Sequence, residues 1–174
     1  MIKKIVLFGS ESTGKTTLAQ QLAIFYKTVW VPEFAREYLE NERINVHYSD
    51  VIPIAKGQLI AEDALIERAN KFLICDTNIL ETKVYSDVYF GASPEWLLEE
   101  ILKREYDLYL LTDIDVEWSP DPLRDKPHQR KEIHNFFKNE LLNRKLPFAE
   151  ISGLEEERLK SAIYSIEKFF DGKK

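Results

Sequence analysis

One octapeptide constrains this chain more than any other part of it. Gly9-Ser10-Glu11-Ser12-Thr13-Gly14-Lys15-Thr16 satisfies G-x-x-x-x-G-K-[ST] at every position and directly follows the apolar run Ile5-Val6-Leu7-Phe8. The pattern requires a strand before it and a helix after it. Only six glycines occur in 174 residues, so two in one loop mark a backbone with a special path. They let the chain wrap closely, turning amide N–H groups and a helix N-terminus toward a polyphosphate. Lys15 adds a cation at the β- and γ-phosphates, and the Thr16 hydroxyl can hold Mg²⁺. The expected nucleotide-binding residues are Gly9, Ser12, Thr13, Gly14, Lys15, Thr16 and Thr17, with ATP and Mg²⁺ as the implied ligands.

The rest of the chain continues the alternation that the loop demands. Apolar runs at Thr28–Val31, Phe72–Cys75, Leu108–Leu111 and Phe148–Ile151 read as further strands. Helical patterns lie between and after them, near Gly14–Tyr26, Phe34–Glu42, Ile54–Ala69, Leu80–Tyr89, Pro94–Arg104, His128–Asn143 and Leu154–Phe170. Continuously apolar strands separated by helices indicate a parallel sheet covered on both faces. The expectation is one α/β domain over 1–174, a three-layer, doubly wound parallel sheet of five strands.

Charge and composition exclude several classes. Lys plus Arg number 24 against 30 Asp plus Glu, a net charge of −6, which argues against nonspecific nucleic-acid binding. No apolar run approaches the ~18–20 residues that span a bilayer, so no membrane partner is expected. The apolar stretch Ile5–Phe8 is too short for the core of a signal peptide. Cys75 is the lone cysteine; it reads as a small buried hydrophobe in a reducing cytoplasm.

A triphosphate loop does not name a reaction; that comes from residues at the other strand ends, where ligands of open α/β sheets bind. The first group is Pro32-Glu33-Phe34-Ala35-Arg36-Glu37. There Glu33 can act as general base toward a substrate hydroxyl, with Arg36 one turn on to orient it or a phosphate. The second is Asp76-Thr77 with Asn78, where Asp76 ends an apolar strand and can order Mg²⁺ or touch substrate hydroxyls. Thr16 and Asp76 are therefore the expected metal ligands. The third is Trp118-Ser119-Pro120-Asp121-Pro122-Leu123-Arg124-Asp125-Lys126-Pro127-His128-Gln129-Arg130. This Pro-stiffened loop suits a lid over about 118–131, with Arg124 and Arg130 neutralising charge on the transferring phosphoryl group. Trp118, Tyr48 and Trp30 are candidate stacking residues. His47, His128 and His134 show no metal-ligand spacing.

In order, GSESTGKT, PEFARE, ICDTN, YDLYLLTDIDVEW, DPLR and HQR resemble the ribosylnicotinamide kinase domain of the bacterial NadR family, from Ile2 to about Phe170. The resemblance implies a nucleoside-kinase-like P-loop fold and transfer of phosphate from ATP, with Mg²⁺, to the 5′-hydroxyl of nicotinamide riboside. It places Glu33, Arg36, Tyr48, Asp76, Asn78 and Trp118 near the riboside. Lys15, Glu33, Asp76, Arg124 and Arg130 become the expected catalytic set. NadR proteins commonly carry an adenylyltransferase domain ahead of this kinase, and often a DNA-binding one. Here the loop's strand begins at Ile2, so kinase activity alone is expected of this chain. Some relatives place an aromatic residue just before the Glu of the Arg-Glu motif, whereas this chain has Pro32, with Trp30 two residues earlier. No Asn-Lys-x-Asp stretch follows the fourth strand, which by resemblance disfavours GTP. A kinase of another nucleoside or nucleotide, and a nucleotide-hydrolysing regulatory module, remain the alternatives.

Overall fold

The computed structural model describes residues 1–42, 46–117 and 129–172; Trp118, Arg124 and most of the expected lid lie outside the described residues. The strands are β1 (Lys3–Phe8), β2 (Trp30–Val31), β3 (Phe72–Asp76), β4 (Leu108–Thr112) and β5 (Phe148–Ile151). The helices are α1 (Lys15–Tyr26), α2 (Phe34–Glu42), α3 (Val51–Leu65), α4 (Ile79–Phe90), α5 (Glu95–Lys103), α6 (Arg130–Asn143) and α7 (Glu155–Asp171). All strand pairs are parallel, in the order β2-β3-β1-β4-β5. The three-layer expectation therefore holds.

The period of two along β1 divides the core. Ile5 and Leu7 meet Leu18 and Leu22 of α1 and Ala162 and Ile166 of α7. Val6 and Phe8 face the other way, toward Leu80 and Val84 of α4 and Ile133 and Phe137 of α6. The Phe8 ring meets Tyr109 and Phe137 edge-on, at centroid separations of 5.4 and 4.8 Å, the arrangement that ring quadrupoles prefer. A third cluster, Val51, Ala55, Leu59, Ile79 and Leu97, joins α3, α4 and α5. Strand β1 pairs Leu7 with Asp76 and Phe8 with Leu111, so the loop after it emerges between the ends of β3 and β4. The strand order changes direction there, which opens a crevice at the carboxyl edge of the sheet.

Two boundaries differ from the sequence expectation for local reasons. Only Trp30–Val31 of the segment 28–31 is strand. The Thr28 hydroxyl donates to the Phe72 carbonyl at 2.6 Å and accepts from the Asn70 amide at 2.8 Å, so a side chain takes the ladder's place. Helix α3 begins at Val51 rather than Ile54, because the Asp50 carboxylate accepts from the His47 amide (2.8 Å) and the Tyr38 hydroxyl (3.2 Å). Pro53 then falls in the first turn, where a missing N–H costs nothing. Cys75 is buried, and no described helix is long and apolar enough to cross a membrane.

Glu62 is a buried acid in this core, with its carboxylate accepting from the Tyr106 hydroxyl at 3.1 and 2.9 Å. Burial pushes its carboxyl up to about 7, against the opposing pull of Lys4. The folded chain thus keeps a proton that the unfolded chain releases near 4.5, and stability falls as pH rises through that window. A thermal melt of the ligand-free protein is expected to show a lower Tm at about pH 8 than at about pH 6. The difference shrinks in Glu62→Gln, at about 2–4 °C for each kcal/mol of linkage removed.

Candidate active site

The loop between β1 and α1 has a backbone that its sequence allows. Gly9 takes φ +144°, and a Cβ there would lie 2.7 Å from Thr112 Oγ1, so only glycine lets the loop pass the end of β4. Ser12 and Gly14 have φ of 57° and 78°, the left-handed turns that curl successive amides into an anion nest. The Thr13 hydroxyl is pinned behind the loop, 2.8 Å from the Ser10 carbonyl and 2.7 Å from Thr112 Oγ1. Two arginines brace the loop's outer carbonyls. Arg130 of α6 donates to Ser12 O at 3.2 Å and to Val116 O at 3.0 Å. Arg158 of α7 is buried and donates to Thr13 O at 2.9 Å, Gly153 O at 2.8 Å and Asp113 O at 3.3 Å, while pairing with the Asp115 carboxylate. Gly153 in turn donates its amide to Asp115 at 2.6 Å. The phosphate loop is thereby tied to the segments after β4 and β5.

Inside the loop, Lys15 Nζ donates to Gly9 O at 2.7 Å and Ser10 O at 3.0 Å, and lies 3.3 Å from Glu81 Oε1. The Thr16 hydroxyl donates to Asp76 Oδ2 at 2.6 Å. Asp76 Oδ1 is buried without a hydrogen-bond partner among the described residues. Burial pushes the Asp76 carboxyl up to about 6, the Glu33 charge adds to this, and Thr16 and Lys15 oppose it. A hydroxyl against a half-satisfied carboxylate at the foot of a phosphate nest is the donor set that suits Mg²⁺. Among the described residues no group of three or more acidic, His or Cys side chains can hold a metal. An ion here would therefore take its other ligands from phosphate and water.

A cavity of ≈ 400 Å³ opens from the loop. It is lined by the phosphate loop, by Glu33, Arg36 and Glu81, and by the apolar side chains of Leu39, Val51, Ile54 and Phe90. Glu33 reaches it because of a contact not visible in the motif. The Phe34 amide donates to Gln58 Oε1 at 2.9 Å, and the Phe34 ring lies against Gly57 of α3, where an added Cβ would come 2.0 Å from it. This close approach fixes the start of α2, and Glu33 directly precedes it. Arg36, one turn further on, lines the same cavity and sits 3.4 Å from Glu40.

Lys15, Thr16, Thr17, Glu33 and Arg36 thus gather around one cavity with Ser12, Thr13 and Gly14, and Asp76 lies directly behind Thr16. Three expected substrate residues do not join them. Asn78 is 1% exposed and acts as the N-cap of α4, accepting from Leu80 N at 3.1 Å and donating to the Tyr109 hydroxyl at 3.0 Å. Tyr48 is 45% exposed, does not line the cavity, and meets Phe90 edge-on at 5.6 Å. Trp30 packs against the core. Trp118 and Arg124 lie outside the described residues. The sequence reading also missed Glu81, Tyr85, Tyr89 and Arg158. Glu81, Tyr85 and Tyr89 recur every fourth residue after the strand-end Asp76, a stripe that helical spacing could have shown. Arg158 is one cation on a charged helix, with no local signal.

A protein-family profile described as AAA domain matches residues 4–158. The chain is 29% identical over 156 residues to the trifunctional NAD biosynthesis/regulator protein NadR of Escherichia coli K12, covering 86% of this chain and 38% of that protein. The NadR of Salmonella typhimurium is 27% identical over the same shares of both chains. The chain therefore spans less than half the length of these curated relatives. Among solved structures, a NadR protein in complex with NR superposes with a TM-score of 0.79 at 22% identity, over 97% of this chain and 51% of that one. The NadR protein with NAD and AMP-PNP gives 0.78 at 23%, over 98% and 50%. Deoxyadenosine kinase from M. mycoides with dATP gives 0.64 at 13%, over 95% and 99%. These likenesses show a shared P-loop kinase fold.

Gly57→Ala forces the Phe34 ring off α3 and shifts the start of α2. Acceptor-dependent turnover is expected to fall about tenfold or more, because misplacement of a reacting group is costly. Binding of an ATP analogue, read by calorimetry, stays within about twofold, since the phosphate loop does not touch Gly57.

Proposed function

Since the chain belongs to the AAA-domain family, built around the phosphate loop just described, we propose that it is a cytoplasmic kinase. It moves the γ-phosphoryl group of ATP to the 5′-hydroxyl of nicotinamide riboside, giving nicotinamide mononucleotide and ADP. One observation carries the reading: a single cavity is lined by the phosphate loop, by Glu33 and by aromatic and aliphatic side chains that include Tyr89, Phe90 and Leu39. Such a lining suits a small acceptor that offers a hydroxyl to the acid and a flat ring to the aromatic and apolar side chains. The charge inside it favours a cationic ring. Glu11, Glu33 and Glu81 line the cavity against Lys15 and Arg36, and aromatic faces attract a pyridinium. The NadR relatives, named for NAD biosynthesis, and the NadR structures with NR and with AMP-PNP support the same substrates.

In this reading the ATP phosphates rest on the nest of residues 9–16, with Lys15 at the β- and γ-phosphates. The Asp115, Gly153 and Arg158 network lies beside the loop on the nucleotide side. Thr16 and Asp76 are the residues that would hold Mg²⁺, directly and through water; when bound, the ion supplies positive charge at the phosphates. Glu33 accepts the proton of the acceptor hydroxyl as that oxygen bonds to the γ-phosphorus and the bond to the bridging oxygen of ADP breaks. Arg124 from the expected lid would offer positive charge to the phosphoryl group in flight, while Arg130, which does not line the cavity, holds the loop through the Ser12 and Val116 carbonyls. Closure over the site excludes water, which would otherwise take the phosphoryl group.

Coupled assay of ADP release with MgATP and a nucleoside panel tests this. Turnover is expected with nicotinamide riboside above other nucleosides, with little ATP hydrolysis in its absence. Slow hydrolysis of ATP that ignores every acceptor would instead fit a regulatory module. Glu33→Gln is expected to lower kcat about a hundredfold, with the KM for ATP little changed. Near-normal kcat in that variant removes Glu33 as base.

A further inference from the structure

The cavity face of α4 carries an acidic group that takes no part in the proposed transfer step. Glu81 is 4% exposed, and its Oε1 lies 3.3 Å from Lys15 Nζ. Its Oε2 is buried with no hydrogen-bond partner among the described residues. Burial pushes this carboxyl up to about 8; Lys15 opposes the shift, while the charges of Glu33 and Asp76 add to it. A half-satisfied carboxyl in a protein interior is costly, and such groups in native folds call for a partner. The deficit grows when nucleotide binds. Phosphate-loop chemistry places the Lys15 ammonium at the β- and γ-phosphates, which draws it toward them and away from Glu81. Neither carboxylate oxygen then keeps a partner among the described residues, beside a cavity that an acceptor must enter.

Position along α4 decides which part of an acceptor arrives there. Glu81, Tyr85 and Tyr89 all line the cavity, and at four-residue spacing they stand about 6 Å apart along the helix. Glu81 stands at Lys15, Tyr85 still reaches the phosphate loop, its hydroxyl accepting from the Glu11 amide at 2.9 Å, and Tyr89 is the step beyond. A nucleoside that offers its primary hydroxyl near Lys15 and rests its ring toward Tyr89 and Phe90 carries its sugar past Glu81. Two carboxylate oxygens match two neighbouring O–H donors, as in a vicinal diol. A sugar lacking those hydroxyls would leave the carboxyl buried and unpaired, and penalties of that kind set strong selectivity.

We propose that Glu81 is a specificity-determining residue that accepts hydrogen bonds from the vicinal hydroxyls of a ribosyl acceptor once Lys15 has turned to the nucleotide phosphates, so that the site takes ribosides over deoxyribosides. The proposal rests on the riboside-kinase reading above.

The test is steady-state turnover by the full chain, with MgATP and nicotinamide riboside or its 2′-deoxy and 2′,3′-dideoxy analogues. The native protein is expected to favour the riboside by about tenfold or more in kcat/KM; Glu81→Ala brings that ratio to within about threefold of unity, and Glu81→Gln lies between. The KM for ATP stays within about twofold in both variants. Undiminished preference in folded Glu81→Ala, or in Glu81→Gln where the alanine variant does not fold, overturns the proposal. A rise in the KM for ATP that matches the loss also overturns it and assigns Glu81 to Lys15 instead. Deoxyribosides turned over as readily as ribosides by the native protein sink the role of Glu81 and leave the kinase standing. No turnover of any nucleoside removes both.

Discussion

An ammonium held in the curl of its own loop is the interaction on which the rest of this molecule depends. Lys15 Nζ lies within hydrogen-bonding distance of two loop carbonyls and 3.3 Å from a buried carboxylate. That cation sits among Glu33, Asp76 and Glu81, whose mutual repulsion and burial raise the carboxyls of Asp76 and Glu81. Such a cluster is stable only where positive charge remains close. An incoming triphosphate competes for that same charge. Lys15, with Arg36 on the facing helix, is the positive charge against which these acids are balanced.

The fold holds this arrangement from outside the cavity. Strand β1 delivers the loop into the crevice where the strand order turns, and Gly9 lets it pass the end of β4 without a clash. Arg158 and Arg130 reach in from α7 and α6 to the carbonyls of Thr13 and Ser12. Charge-assisted hydrogen bonds of this kind fix direction as well as distance. Across the cavity, α2 is placed by the Phe34 ring against Gly57 and by Gln58. The cluster of Val51, Ile79 and Leu97 binds α3, α4 and α5 together. Glu33 and the phosphate loop thus stand on separate packed elements, as the proposed transfer, which depends mainly on positioning, requires.

Much of this was legible before any coordinates. The loop Gly9–Thr16, the five apolar strand runs and the alternation with helices led directly to a parallel sheet with its ligand edge at the strand ends. Strand-end acids Glu33 and Asp76 followed from the same logic, and both stand beside the loop. The misreadings share one cause. Asn78 looks like a companion of Asp76, but its side chain satisfies the first turn of α4, a local need that competes for any Asn at a helix start. Trp30 and Tyr48 looked like stacking residues because an aromatic side chain carries no mark of whether it faces core, solvent or ligand. Tyr85 and Tyr89, which do line the cavity, lie in a helix whose pattern reads equally well as core packing.

By itself, the sequence determined the elements whose cause is local: the glycine-bearing phosphate loop, the helix it opens, and the strands whose apolar runs need cover on both faces. Tertiary structure decided which groups share a desolvated space. Glu81 became a partner of Lys15, and Arg158 a brace of Thr13 from 145 residues away, only when the sheet brought their elements together. Backbone preference and hydrophobic period act over a few residues and are written in order along the chain. Burial and Coulomb interaction act through space, so their effect on any one carboxyl or guanidinium exists only after folding.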